Sequence, residues 1–153
     1  MKVILDSSAC PSLPYPKPFS GATITQEALE AFIKKTLLEN KQPIVIFGAN
    51  WCPDARFLEG VIRLPVVKDF LERNANIFNI DVGEYEINTA LFRMFEPGIV
   101  DGIPRVFILD RKSRCYKIFV FRYTGFVNSL LRDLIVLFRL VLFSHLFVIF
   151  FIA

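Results

Sequence analysis

Between Ile44 and Phe57 the chain reads Ile-Val-Ile-Phe-Gly-Ala-Asn-Trp-Cys-Pro-Asp-Ala-Arg-Phe. The unbroken apolar run Ile44–Phe47 predicts a strand covered on both faces. A short turn follows, and a helix is expected from about Asp54. Cys52 then stands at the helix start, where its sulfur meets unpaired backbone N–H groups and the positive end of the helix dipole. Both favour the thiolate, the reactive form of the side chain. The pattern points to thiol chemistry centred on Cys52. Three positions further on, where a dithiol site would carry its second cysteine, the residue is Ala55.

Size and composition narrow the function classes. A chain of 153 residues is long enough to bury one real core. Its 18 basic and 15 acidic residues leave a net charge of only +3, which makes no case for nucleic-acid binding. The three cysteines, Cys10, Cys52 and Cys115, are widely spaced and form neither a disulfide framework nor a zinc-ligand cluster. Nothing in the pattern calls for a metal or an organic cofactor. His145, the single histidine, lies in an apolar run far along the chain from Cys52, which argues against a Cys–His hydrolase pair. At the N-terminus Lys2 is followed by Val3, Ile4 and Leu5 before Asp6, too short a run for a signal-peptide core. A cytoplasmic, reducing location with free thiols is therefore expected.

Taken in order, residues 1–22 read as a leader whose prolines, Pro11, Pro14, Pro16 and Pro18, favour extended conformation over helix. It is expected to pack as a loop along the domain, with a groove-binding ligand motif as the other reading. Thr23 to Asn40 predicts an amphipathic helix started by Thr25 and Glu27, with Leu29, Phe32, Ile33, Thr36 and Leu37 on one face. The helix after Cys52 turns Phe57, Leu58, Val61 and Ile62 inward, and Val66–Arg73 is expected to continue it beyond a kink at Pro65. Asn76–Asp81 predicts a second core strand, Ile87–Phe95 a third helix, and Arg105–Leu109 with Tyr116–Phe121 a hairpin. This order gives an α/β fold, a mixed sheet of four to five strands with helices on both faces.

Two segments of this frame resemble the thioredoxin family. Trp51-Cys52-Pro53-Asp54 is similar to the front of that family's Trp-Cys-x-x-Cys site, in its Trp-Cys-Pro-Asp-Cys variant. Gly102-Ile103-Pro104, leading into a strand, is similar to the family's cis-proline loop. The resemblance spans residues 24–127 and agrees with the element order. It implies that Cys52 is the nucleophile that attacks a substrate disulfide. It further implies that Trp51 and Pro53 belong to the substrate-facing surface. Ile103 and Pro104 would align an extended substrate strand against Cys52. The implied partners are protein or small-molecule thiols and disulfides. The bland alternatives are a core aromatic for Trp51 and an ordinary turn residue for Pro104.

The departures from the family pattern limit the chemistry. In dithiol members the second cysteine attacks the mixed disulfide and releases the substrate; Ala55 has no group to do so. A buried aspartate usual in the family corresponds to Ile46 and a lysine to Ile77. Asp54 suits the first helical turn but its charge opposes a thiolate, whereas Arg56, four residues after Cys52, favours one. Cys10 and Cys115 are each a candidate remote resolving thiol, against the reading that they are small packed side chains. Ala55 admits three readings: an introduced change that traps the mixed disulfide, a natural monothiol site resolved by an external thiol, or a site that kept binding and lost turnover. The intact neighbours Trp51, Pro53, Asp54 and Arg56 favour a single change over long decay.

The domain is expected over 23–133, with a closing helix whose polar arc includes Asn128, Ser129, Arg132 and Asp133. In the apolar tail, 134–153, only Arg139, Ser144 and His145 are polar. As a helix it would be about 30 Å long, enough to cross a bilayer. Three readings of it stay open: a membrane anchor with the domain on the cytoplasmic side, an apolar helix docked on its own domain or in a dimer, and an aberrant C-terminus. For the whole chain the main expectation is a thioredoxin-like exchange protein with a single active-site cysteine. The second expectation is a non-enzymatic thioredoxin-fold binding or scaffold module, with or without a membrane tether.

Overall fold

The computed structural model describes residues 10–96, 102–109 and 115–120, the last of these in backbone only. The elements are α1 (Gln26–Leu38), β1 (Gln42–Gly48), α2 (Pro53–Ile62), α3 (Pro65–Asn74), β2 (Ala75–Asp81), a 3-10 helix (Thr89–Met94), β3 (Arg105–Leu109) and β4 (Cys115–Val120). Among the described residues the strands form one mixed sheet in the order β2-β1-β3-β4. β1 runs parallel to β2, with Gly48 opposite Asp81, and antiparallel to β3, with Phe47 opposite Arg105. β4 returns antiparallel to β3, pairing Cys115 with Leu109 and Val120 with Arg105. The mixed α/β architecture expected from the element order is therefore present. The closing helix, the segment 134–153 and residues 110–114 lie outside the described residues. Among the described residues no helix is long and apolar enough to cross a membrane.

β1 holds the centre of the core because both its faces are covered: Ile44, Val45, Ile46 and Phe47 are all buried. Phe47 packs against the rings of Phe92, Phe95 and Phe107 at centroid distances of 4.7, 6.1 and 5.8 Å. This aromatic cluster ties the 3-10 helix to the sheet. α1 begins at Thr25, whose hydroxyl accepts from the Ala28 N–H at 3.2 Å, and it buries Leu29, Ile33 and Thr36. Asn40 ends it in the left-handed region (φ 56°), donating its N–H to the Leu37 carbonyl at 3.1 Å.

Two elements depart from the sequence expectation. The helix after Cys52 does not run through a kink at Pro65 but stops and restarts. Arg63 caps α2, Leu64 is extended (φ −57°, ψ 132°), and Pro65 opens α3 as its first helical residue. Proline strongly biases the residue before it away from helical geometry, and here that preference wins. The helix expected over Ile87–Phe95 is a 3-10 helix over Thr89–Met94. Asn88 sits at φ 58° and its side chain is fully used: its amide donates to the carbonyls of Ala22 and Asp81 and its oxygen accepts from the Ile24 N–H, each at 2.8 Å. Those tertiary bonds hold residue 88 in a left-handed conformation that a helix could not continue through.

The proline-rich segment packs along the domain over its described part. Pro11 sits against Gly60 of α2, the Tyr15 ring meets Phe57 edge-on at 5.4 Å, and Phe19 is buried over Gly48. A Cβ at Gly48 would overlap the far end of the Phe19 ring. Gly48→Ala is therefore expected to push Phe19 outward and cost about 1–3 kcal/mol, as overpacking does. Urea unfolding checks it, and an unchanged midpoint would show that the ring gives way without loss.

Candidate active site

The turn after β1 is built by local bonds. The Cys52 N–H donates to the Ala49 carbonyl at 3.1 Å, and the Cys52 carbonyl accepts the first helical N–H, from Arg56, at 3.2 Å. Cys52 is the N-cap of α2, and Pro53 follows at the first helical position, where its missing N–H and fixed φ are tolerated. The side chain is only 5% exposed, and its thiol donates to the Ile103 carbonyl at 3.5 Å. Ile103 and Pro104 are joined by a cis peptide bond and both are buried. The structure thus brings together Cys52 and the Ile103-Pro104 loop, which are 51 residues apart in the chain. Gly102 supplies the φ of 110° that starts this loop, a conformation other residues rarely adopt.

Trp51 is not a core aromatic. It is 48% exposed, with its indole N–H donating to the Gly83 carbonyl at 2.8 Å. Its ring lies 5.9 Å from that of Tyr85, which is also exposed. Tyr85 was not among the residues picked out by sequence. It arrives through a loop with positive φ at Gly83 and at Tyr85 itself, and Gly83 was the only local signal for such a turn. Asp81 braces that loop: one carboxylate oxygen accepts from the Gly83 N–H and the other from the Gly21 N–H, both at 2.8 Å.

Ala55 occupies the third helical position and is 2% exposed, so a methyl group stands where a second thiol would be. Ile46 is buried and sits opposite Asn79 in the β1–β2 register, with Ile77 two pairs back, opposite Ile44. Asp54 takes the second helical position, where a negative charge suits the helix N-terminus. The Arg56 side chain is engaged with the N-terminal segment. Its guanidinium donates to the Tyr15 carbonyl, at 2.6 Å from Nη2, and to the Pro16 carbonyl, at 3.4 Å from Nε. Asn50 makes a second clasp on the same segment, accepting from the Phe19 N–H at 3.1 Å and donating to the Phe19 carbonyl at 2.6 Å. The two clasps flank the Cys52 turn.

Arg105 is a support that sequence reading missed. It is 2% exposed, donates from Nε to the Gly102 carbonyl at 3.0 Å, and places its guanidinium 4.3 Å over the Phe92 ring. Its Nη1 also lies 3.7 Å from a Glu96 carboxylate oxygen. An arginine following Gly-Ile-Pro at the head of a buried strand was the available signal. Among the described residues no cluster of histidine, cysteine or acidic side chains could hold a metal ion.

No protein-family model and no curated protein matches the chain. Solved structures do. The crystal structure of a disulphide isomerase from Xylella fastidiosa Temecula1 superposes with a TM-score of 0.60 at 24% identity, over 67% of this chain and 79% of that one. The C-terminal domain of DsbD from Neisseria meningitidis, in its oxidised form, superposes with a TM-score of 0.55 at 20% identity, over 79% of this chain and 99% of that one. Together with the mixed sheet and the Cys52 turn at its centre, these likenesses assign the chain a thioredoxin-like fold.

Proposed function

We propose that this protein exchanges thiols and disulfides through a single active-site cysteine, Cys52, and forms mixed disulfides with protein or small-molecule partners. One observation carries the reading. Cys52 caps the helix after the central strand with its sulfur 3.5 Å from the Ile103 carbonyl, on a fold shared with a disulphide isomerase and a DsbD domain. In the exchange step the Cys52 thiolate attacks one sulfur of a partner disulfide. A Cys52–S bond forms, the partner's S–S bond breaks, and the other half leaves as a thiolate that takes a proton from water. The Ile103 carbonyl borders the sulfur, and with Pro104 next to it in the chain would align an extended partner segment. Trp51 and Pro53 would face the same segment, with Tyr85 added to that surface. Ala55 supplies no thiol, so the motif by itself stops at the mixed disulfide.

The test is incubation with a disulfide of a chromophoric aromatic thiol, followed by peptide mapping. The expected result is a new disulfide at Cys52, to the probe or to a second thiol, that is lost in Cys52→Ser. Modification confined to Cys10 and Cys115 would overturn the exchange reading. That outcome would leave the second reading, a binding module, which the exposed Trp51–Tyr85 pair favours. Binding of extended peptides unchanged by Cys52→Ser is its signature.

A further inference from the structure

Cys10 is a free cysteine on the exposed surface, not the small packed side chain expected for it. It heads the strap that Arg56 and Asn50 clasp beside the Cys52 turn. We infer that Cys10 is the resolving thiol of this protein, swinging in on that strap to replace the thiol that Ala55 lacks. The inference rests on the exchange reading of Cys52 given above.

As the strap lies, the two sulfurs are apart. Pro11 sits on Gly60, eight residues beyond Cys52, or about 12 Å along α2 at roughly 1.5 Å per residue. A disulfide needs Cα atoms within about 7 Å, so Cys10 must move. The way the strap is held permits that motion. Hydrogen bonding to the domain begins at Tyr15, where the Arg56 guanidinium grips the Tyr15 and Pro16 carbonyls. Upstream of that clasp, among the described residues, no hydrogen bond holds 10–14. Ser12, Leu13 and Pro14 are exposed, Leu13 to 76%, and Pro11 is the one buried residue of the arm. The pivot is also in the right place. Arg56 is one helical turn from Cys52, and the five residues from Cys10 to Pro14 reach about 17 Å when extended. An arm of that length turning about Tyr15 spans the gap.

Cys115 is excluded by the same geometry. It pairs with Leu109, at the end of β3 opposite Arg105 and the Pro104 loop. That places it about 13 Å of strand away, fixed in a ladder.

The step balances with groups already named. Starting from the mixed disulfide Cys52–S–S–R, the Cys10 thiolate attacks the Cys52 sulfur. The Cys10–Cys52 bond forms, the Cys52–SR bond breaks, and RS⁻ leaves and is protonated by water. An external dithiol then returns the pair to two thiols and is itself oxidised to a disulfide.

The experiment uses the whole chain and less than one equivalent of the same aromatic disulfide. The expected result is release of both aromatic thiolates per probe consumed, the second at a rate independent of protein concentration. Non-reducing peptide maps then show a Cys10–Cys52 crosslink in a product lighter by two hydrogens. In Cys10→Ser, a surface change, the second release slows by at least about tenfold, since a tethered thiol acts at millimolar effective concentration. Probe retained on Cys52 equally with and without Cys10, or a Cys52–Cys115 crosslink, overturns the assignment of Cys10 while exchange at Cys52 stands. No probe on Cys52 in Cys10→Ser, and no crosslink to Cys52 in the whole chain, overturns both readings.

Discussion

Ala55→Cys turns stoichiometric exchange at Cys52 into multiple turnover. Measured in a Cys10→Ser background, so that the strap contributes nothing, the parent should turn over only as fast as an external thiol resolves the mixed disulfide, and the Ala55→Cys chain should resolve it from within. The reason is placement. Cys52 is the N-cap and residue 55 the third helical position, so their side chains are neighbours on one turn, about 5–6 Å apart at Cβ. A thiol held there attacks the mixed disulfide within the molecule. Well-placed intramolecular reactions gain so much over bimolecular ones that a rise of about a hundredfold in turnover is a modest expectation. Position 55 is buried, which shields the new thiol from competing solvent chemistry. Reduction of a protein disulfide, followed by turbidity with an external dithiol supplied in excess, reads the effect. Equal rates in the two chains would mean that the loss of cycling lies elsewhere, with Ile46 and Ile77 the first residues to examine.

Arg105→Ala is expected to cost about 3 kcal/mol of stability, as removal of one partner from a buried charged set does. For a chain of this size that is a fall of about 10 °C in Tm. Three contacts go at once: the bond to the Gly102 carbonyl, the packing over Phe92 and the ion pair with Glu96. Glu96 loses this cation in a region nearly closed to water. Lysine should not restore the stability, because an ammonium cannot stack on the ring and reach a backbone carbonyl in the same geometry. The loss should also reach the site. The Gly102 carbonyl that Arg105 holds precedes the Ile103 carbonyl to which the Cys52 thiol donates. Chemical denaturation gives the stability and probe uptake at Cys52 gives the second effect. A change under about 1 kcal/mol would show that the set contributes no more than a surface pair.

Most of the frame was legible because its signals are local. The run Ile44–Phe47 could only be a strand covered on both faces, and Thr25 with Asn40 marked the ends of α1 through caps that depend on a few neighbouring residues. The two misread elements failed for opposite reasons. At Pro65 a local rule decides, since the residue before a proline resists helix; the chain breaks there into α2 and α3. At Asn88 no local rule would have served. The apolar spacing of Ile87, Leu91, Met94 and Phe95 is helical, and contacts with Ala22, Ile24 and Asp81 override it.

The site divides along the same line. That Cys52 begins a helix after a buried strand, and that no thiol stands at position 55, follow from the order of residues alone, because helix starts and strand burial are read over a handful of positions. The tertiary structure decided everything that needs a distant partner. It bonded Arg56 to Tyr15 and Pro16, brought Tyr85 to Trp51, joined Arg105 to the Gly102 carbonyl beside Pro104, and laid the strap that carries Cys10 along α2. Each of these is a contact between segments far apart in the chain, through a long or aromatic side chain able to reach several neighbours. Which one it meets is set by where the sheet and helices place the backbones, and no short stretch of sequence contains that information.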